Sequence, residues 1–140
     1  MAGLVRFDDS QWPRVMITWP GEQLSDEDFA VGIAKISAYS HRRQPYVIVH
    51  DGRRAVRPTP KQRAMAAEQQ KRDADVAHRW LRGAALVVAN PLLVGVVTAI
   101  NWLFPPPYPQ KIFWKMPEAE AWADAQLRGT AVDPPPRAMP

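Results

Sequence analysis

The stretch Tyr46–Asp51 (YVIVHD) decides the fold that this sequence predicts. It is apolar without alternation until its last two residues, which is the pattern of an interior strand covered on both faces. Residues 84–89 (AALVVA) have the same character and predict a second buried strand. Strands of this kind belong to sheets in which helices connect parallel neighbours.

Helix signals lie next to both strands. Ser25 precedes three acidic residues as an N-cap, which predicts a helix that reaches about residue 39. Thr59 stands before a proline, and Gln62 is placed to complete a capping box with it. We expect this second helix to run to Arg82, with Gly83 as its C-terminal stop.

The rest of the chain completes an alternating order. Residues 4–7 and 15–19 are β-type runs around a turn and predict an N-terminal hairpin. Asn90 and a proline open an apolar helix, which three consecutive prolines end at residues 105–107. Residues 111–114 predict a last strand, and residues 117–128 predict a last helix. The predicted fold is α/β: a four- to five-stranded mixed sheet with helices packed on it, in the order β-β-α-β-α-β-α-β-α.

Three segments carry a resemblance to a known family. They are YVIVHD followed by a loop and a capped helix, AALVVA running into Asn90 and another helix, and the ending IFWKMPEAEAWADAQL (residues 112–127). In these segments the chain resembles the STAS/SpoIIAA-like superfamily, the fold of the anti-anti-sigma factors, over about residues 3–128. The resemblance implies a non-enzymatic regulatory role in bacterial signalling. It also implies binding of a protein partner or, in some members, of a small apolar or lipid-like ligand.

The chain departs from that family at a position that carries function. In the sigma-regulating members, an Asp ends the central strand, and a Ser or Thr that a partner kinase phosphorylates follows closely. Here Asp51 is followed by Gly52, Arg53 and Arg54, and the nearest hydroxyl belongs to Thr59. We interpret Thr59 as a helix cap, and whether it is ever phosphorylated stays open.

Composition bounds the classes of function. The chain has 140 residues and no cysteine, which suits one domain and removes disulfides and thiolate metal sites. Its three histidines show no metal-ligand spacing, so we expect no metal and no cofactor. The start has no long apolar run behind basic residues, which predicts a cytoplasmic protein. Residues 129–140 are Pro-rich and predict a disordered tail after a domain of residues 1–128.

Positive charge is concentrated in one segment. Residues 41–82 hold eleven Lys/Arg against four Asp/Glu, within a net charge of +4 for the whole chain. The basic loop of residues 52–57 precedes the Thr59 cap, and Arg side chains at a helix N-terminus suit an anion. The candidate anion-binding residues are Arg53, Arg54, Arg57 and Thr59, for a phosphorylated ligand or an anionic membrane surface. The alternative is a solvated loop, and the acids interleaved along the next helix disfavour nucleic acid as a partner.

The helix LLVGVVTAINWLF (residues 92–104) is apolar on nearly every face. It falls short of the ~20 residues that span a bilayer, so we predict no transmembrane segment. An outward apolar face must be covered, which predicts a ligand cavity, a homodimer or partner surface, or a membrane surface, with ordinary core packing as the alternative. The candidate residues are Leu93, Val97, Trp102, Leu103, Phe104 and Tyr108.

His50 lies beside Asp51 at the end of the central strand. Adjacent strand residues point to opposite faces, so we expect no acid–base pair between them and a hydrogen bond from His50 to backbone. The sequence assembles no nucleophile, base and oxyanion donors. An enzyme is therefore the weaker alternative to a regulatory or ligand-binding protein.

Overall fold

The computed structural model describes residues 4–129. The elements are β1 (Arg6–Asp8), β2 (Arg14–Thr18), α1 (Asp26–Ser40), β3 (Tyr46–Asp51), α2 (Pro60–Arg72), α3 (Ala74–Trp80), β4 (Leu81–Val87), α4 (Pro91–Leu103), β5 (Gln110–Phe113) and α5 (Met116–Arg128). The predicted tail lies, beyond Gly129, outside the described residues.

The five strands form one mixed sheet in the order β1-β2-β3-β4-β5. β1 pairs antiparallel with β2, while β2, β3, β4 and β5 are parallel neighbours. β3 is therefore hydrogen-bonded along both edges, and its residues from Tyr46 to Val49 are buried. The predicted α/β class, the hairpin and the mixed sheet are confirmed.

The helix predicted from the Thr59 cap to Arg82 is confirmed over most of its length, but its continuity and its last two residues were predicted wrongly. The helix breaks at Asp73 into α2 and α3, and β4 begins at Leu81. Gly83, predicted to stop the helix, lies inside β4. A Cβ on Gly83 would meet Gln126 and Trp122 of α5 at 3.1–3.2 Å, so this glycine permits the close approach of α5 to the strand.

The helices divide unequally between the two faces of the sheet. α5 covers one face, where Ala119 and Ala123 pack against β3 and β4. The other face carries α1, α2, α3 and α4. Along β3, residues 47 and 49 face α5, whereas residues 46, 48 and 50 face the other helices. We call these two sides the α5 face and the four-helix face.

Candidate functional site

A cavity of about 270 Å³ lies on the four-helix face, between the sheet and helices α1, α2 and α4. This volume is close to the lower end of the ~300–1,000 Å³ typical of small-molecule sites. Residues of β3 and β4 form its floor, among them Ile48, His50, Ala84 and Leu86. Its walls are mostly apolar, with Phe29 and Ile33 from α1 and Leu93, Val96, Val97 and Ile100 from α4.

Small side chains leave this space open. Ala66 of α2, Ala77 of α3 and Ala84 of β4 all line the cavity, and none of them reaches far from its backbone. α4 packs against α2, and its inward positions 93, 96, 97 and 100 form one wall of the cavity. The spacing of these positions is that of one helical face, so the sequence supplies a continuous apolar wall.

The mouth of the cavity lies at the carboxyl end of the parallel strands. Among the residues that line the cavity, Glu22, Gln23 and Val56 are the exposed ones within residues 4–129. They belong to the loops that follow β2 and β3. This edge is where ligands reach open α/β sheets.

His50 lies on the cavity floor, one residue before the end of β3. The indole Nε1–H of Trp19 donates a hydrogen bond to its Nδ1 atom at 3.1 Å, and the two rings stack with centroids 6.1 Å apart. Because an indole nitrogen only donates, Nδ1 carries no proton and the neutral ring holds its proton on Nε2. Burial lowers the pKa of His50 to about 4, so the ring is neutral at pH 7. The expected bond from His50 to backbone is wrong, because the indole supplies the partner.

Tyr46, Tyr108 and Asp73 line the other end of the cavity, near the start of β3. Burial raises the pKa of Tyr108 to about 12, and the negative charge of Asp73 adds to this shift. Burial also raises the pKa of Tyr46, so both phenols are neutral at pH 7. Tyr46 and His50 are four residues apart on β3, which is roughly 13 Å in a strand. The cavity therefore extends along most of β3.

The six apolar candidates from the sequence fall into two groups. Leu93, Val97 and Tyr108 line the cavity, which joins three of the predicted residues in one site. Trp102 and Leu103 lie outside it, with 85% and 62% of their side chains exposed. The six candidates therefore do not form one surface, because α4 turns one side inward and the other to solvent.

The outward side of α4 is an exposed apolar stripe. Leu92 is 61% exposed and lies on the same side of the helix as Trp102 and Leu103; we call these three residues the α4 stripe. Phe104 follows the helix, and its carbonyl oxygen accepts a hydrogen bond from the Gln70 side chain at 2.6 Å. A partner or homodimer surface at the α4 stripe stays a prediction.

The basic loop lies beside the mouth, but one of its cations is already paired. The guanidinium of Arg53 donates to both carboxylate oxygens of Asp51, at 2.9 and 2.8 Å, and this lowers the pKa of Asp51. Arg54 and Arg57 are exposed. The Arg53 charge is thus offset within the loop, and anion binding by the other two arginines stays a prediction.

Thr59 has the predicted role of a helix cap. Its hydroxyl accepts a hydrogen bond from the backbone N–H of Gln62 at 3.0 Å, and the Gln62 side chain accepts one from the Thr59 N–H at 3.3 Å. The buried Gln62 also donates to the carbonyl oxygen of Leu24 at 2.8 Å. This capping box therefore joins the start of α2 to the segment before α1.

The described residues were also searched for a metal site and for a membrane-spanning helix. Within residues 4–129, no group of His, Asp and Glu side chains is arranged to hold a metal ion. Of the helices in that range, none has both the length and the apolar character to cross a membrane. Comparison of the chain with protein-family models, with curated proteins and with solved structures found no match.

Sequence reasoning missed the pairing of Trp19 with His50 and the alanines of the cavity. Ile17 of β2 pairs with His50 of β3 in the sheet register, and Trp19 lies two residues further along on the same face. The sequence does place a tryptophan after β2 and a histidine near the end of β3. Only the parallel register of the two strands shows that these side chains are neighbours. The alanines gave no local signal, because an alanine is equally compatible with close packing and with a void.

Proposed function

We propose that this domain is a non-enzymatic protein that binds one small apolar ligand in the cavity of the four-helix face. The cavity is the observation that carries the proposal. It extends along most of β3, has mostly apolar walls with a few polar groups, and opens at the carboxyl edge of the parallel strands. An apolar ligand that fills such a pocket removes apolar surface from water, which favours binding.

The hydrogen bonds of the cavity support binding over catalysis. The Ser40 hydroxyl donates to the carbonyl oxygen of Ser37 at 2.7 Å, at the end of α1. His50 accepts from Trp19 at 3.1 Å and lies at the opposite end of β3 from Tyr46. Nucleophilic catalysis needs a nucleophile and its base within hydrogen-bond reach, and no hydroxyl or carboxylate of residues 4–129 is hydrogen-bonded to His50.

The resemblance to the STAS/SpoIIAA-like superfamily supports a regulatory role, in which ligand occupancy is passed to a protein partner. α4 is the element suited to this transfer. Its inward positions line the cavity, and its outward side is the α4 stripe. A ligand that shifts α4 would move both sides of the helix together.

The test is saturable binding of N-phenyl-1-naphthylamine, a neutral apolar fluorophore that brightens away from water. We expect one site per chain in the wild type. Ala66→Leu places three more carbon atoms in the cavity and should weaken binding about tenfold or more, by excluding the ligand from that volume. Ala64→Leu is the matched control, because Ala64 is exposed on the same helix. Absence of saturable binding to the wild type, or equal affinity in both variants, would contradict the proposal.

A further inference from the structure

We propose that the ligand is a neutral, elongated molecule with a carbonyl-type hydrogen-bond acceptor at one end, which receives the Nε2–H of His50 near the mouth of the cavity. The inference rests on the proposed function and names the class of ligand that the cavity takes.

His50 offers a donor that the protein itself does not use. The Trp19 indole occupies Nδ1, which leaves the ring proton on Nε2. Nε2 makes no hydrogen bond within residues 4–129, and unlike the sealed Trp122 indole nitrogen it keeps accessible surface. A polar group left unpaired in an apolar site loses free energy, so a ligand that pairs with it is favoured.

The donor is held in place before any ligand arrives. Trp19 fixes the imidazole through the 3.1 Å hydrogen bond and through ring stacking. The indole in turn packs against Phe29 of α1, with ring centroids 6.2 Å apart. Trp19 also lines the cavity, and toward His50 it is a positioning residue, since it sets the tautomer and the direction of the ring.

The charges of the cavity favour a neutral ligand. Glu22 at the mouth and Asp73 at the far end are its acidic residues, and no Lys or Arg of residues 4–129 lines it. A carboxylate ligand would lose its hydration inside the cavity and gain no cation from the side chains that line it. A ketone or ester oxygen accepts a hydrogen bond without carrying a charge.

The shape of the cavity fixes the direction of the ligand. His50 lies near the mouth, and the floor beyond it continues through Ile48 and Ala84 toward Leu81. This path follows β3 for roughly 13 Å between residues 50 and 46. The acceptor therefore lies near the mouth, and an apolar tail runs inward beneath α2 and α4.

The experiment compares 2-nonanone with 2-methyl-1-nonene, which replaces the C=O of the ketone by C=CH2. Both are titrated against bound N-phenyl-1-naphthylamine in the wild type and in His50→Leu. We expect the ratio of ketone affinity to alkene affinity to fall about tenfold in His50→Leu, because the variant removes the donor and keeps an apolar surface. An unchanged ratio would overturn the inference.

A second measurement uses the wild type and does not depend on how the His50 variant folds. In ¹⁵N NMR, we expect the His50 ring to show the Nε2–H tautomer, and 2-nonanone to shift Nε2 while 2-methyl-1-nonene does not. Trp19→Phe keeps a ring at this position but removes the indole donor, so both tautomers should appear and the ketone preference should shrink. An Nδ1–H tautomer in the wild type, or equal Nε2 shifts with both ligands, would contradict the inference.

Ligand charge is tested with nonanoate at pH 7. It should bind more weakly than 2-nonanone. Tighter binding of nonanoate would contradict the inference that the ligand is neutral. Failure of the inference is distinguishable from failure of the proposed function. If the ketone and the alkene both displace the fluorophore with an unchanged ratio, the cavity binds apolar ligands but His50 does not select them. If neither displaces a fluorophore that binds saturably, the inferred ligand class is wrong while the cavity still binds an apolar molecule. If the fluorophore itself shows no saturable binding to the wild type, the proposed function fails as well.

Discussion

The two faces of the sheet contain the same small residue in different surroundings. On the α5 face, Ala85, Ala119 and Ala123 are all 0% exposed and lie in close contact with neighbouring side chains. On the four-helix face, the alanines at positions 66, 77 and 84 line a cavity of about 270 Å³. An alanine therefore indicates close packing of a helix on a strand only where the helix lies directly on that strand.

The difference arises from how each helix is held. α5 begins three residues after β5 ends, crosses β3 and β4, and closes on Gly83 so tightly that a Cβ there would lie 3.1–3.2 Å from its side chains. α4 instead packs on α2, and its C-terminus leads into the prolines at 105–107. The α5 face is thus a structural core, and the four-helix face has room for a ligand.

The largest expected effect comes from overfilling the α5 face. Ala123→Leu should lower the free energy of unfolding by about 3 kcal/mol, because the added atoms have no space and force neighbouring side chains out of place. Urea denaturation measures the loss. Ala121→Leu, at an exposed position of the same helix, should change stability little. Equal effects of the two changes would mean that α5 is not closely packed.

The next effect concerns pH and the four-helix face. Burial lowers the pKa of His50 from 6.5 to about 4. Between these two pH values the ring is protonated in the unfolded chain and neutral in the folded protein. The free energy of unfolding should therefore fall as pH drops from about 6.5 to about 4, by on the order of 2–3 kcal/mol from this group, and level off below.

Denaturation of His50→Gln across the same pH range isolates this contribution, since the variant lacks the titrating ring. His41→Gln removes an exposed histidine and should keep the wild-type pH dependence. If His50→Gln followed the wild-type curve between pH 6.5 and 4, the ring would not be buried as described.

A smaller effect is expected where α2 begins. Thr59→Ala removes the hydroxyl that accepts from Gln62 at 3.0 Å and should cost about 1 kcal/mol of stability in thermal or chemical unfolding. Thr59→Ser keeps the hydroxyl and most of the stability. Loss of partner binding in Thr59→Ala at unchanged stability would instead identify Thr59 as a regulated hydroxyl.

The smallest effect on stability is expected at the α4 stripe. Trp102 is 85% exposed, so Trp102→Ala should change the free energy of unfolding by less than about 0.5 kcal/mol. Fluorophore binding should also be unchanged, because Trp102 does not line the cavity. Sedimentation velocity of the two proteins would detect any self-association that the indole supports. Weaker fluorophore binding in the variant would place Trp102 in the site after all.

The elements of this fold were predictable because local residues specify them. Thr59 with Gln62 caps α2, and the Asn90 side chain accepts from the Leu92 N–H at 2.9 Å to cap α4. The prediction failed at Gly83, where the deciding contact comes from α5, about forty positions further along the chain. No local pattern carries such a contact, so the glycine appeared to be a helix stop.

The site was predictable only in part, for a related reason. The apolar character of α4 predicted that something must cover it, and Leu93 and Val97 do line the cavity. The division of α4 into an inward wall and an outward stripe depends on where the helix lies above the sheet. The donor on His50 depends on the register that brings Trp19 beside it. The position of α4 and the neighbourhood of Trp19 and His50 are features of tertiary structure, which the spacing of residues in the sequence does not specify.

The most direct test of a ligand cavity on the four-helix face compares two neighbouring alanines on β4. Ala84 faces the cavity and Ala85 faces α5, with 2% and 0% of each exposed. We predict that Ala85→Leu lowers the free energy of unfolding by about 2–3 kcal/mol, whereas Ala84→Leu changes it by no more than about 1 kcal/mol, because the cavity accepts the added atoms. Ala84→Leu should also weaken N-phenyl-1-naphthylamine binding about tenfold. Equal losses of stability in the two variants, or full fluorophore binding by Ala84→Leu, would contradict a ligand cavity on the four-helix face.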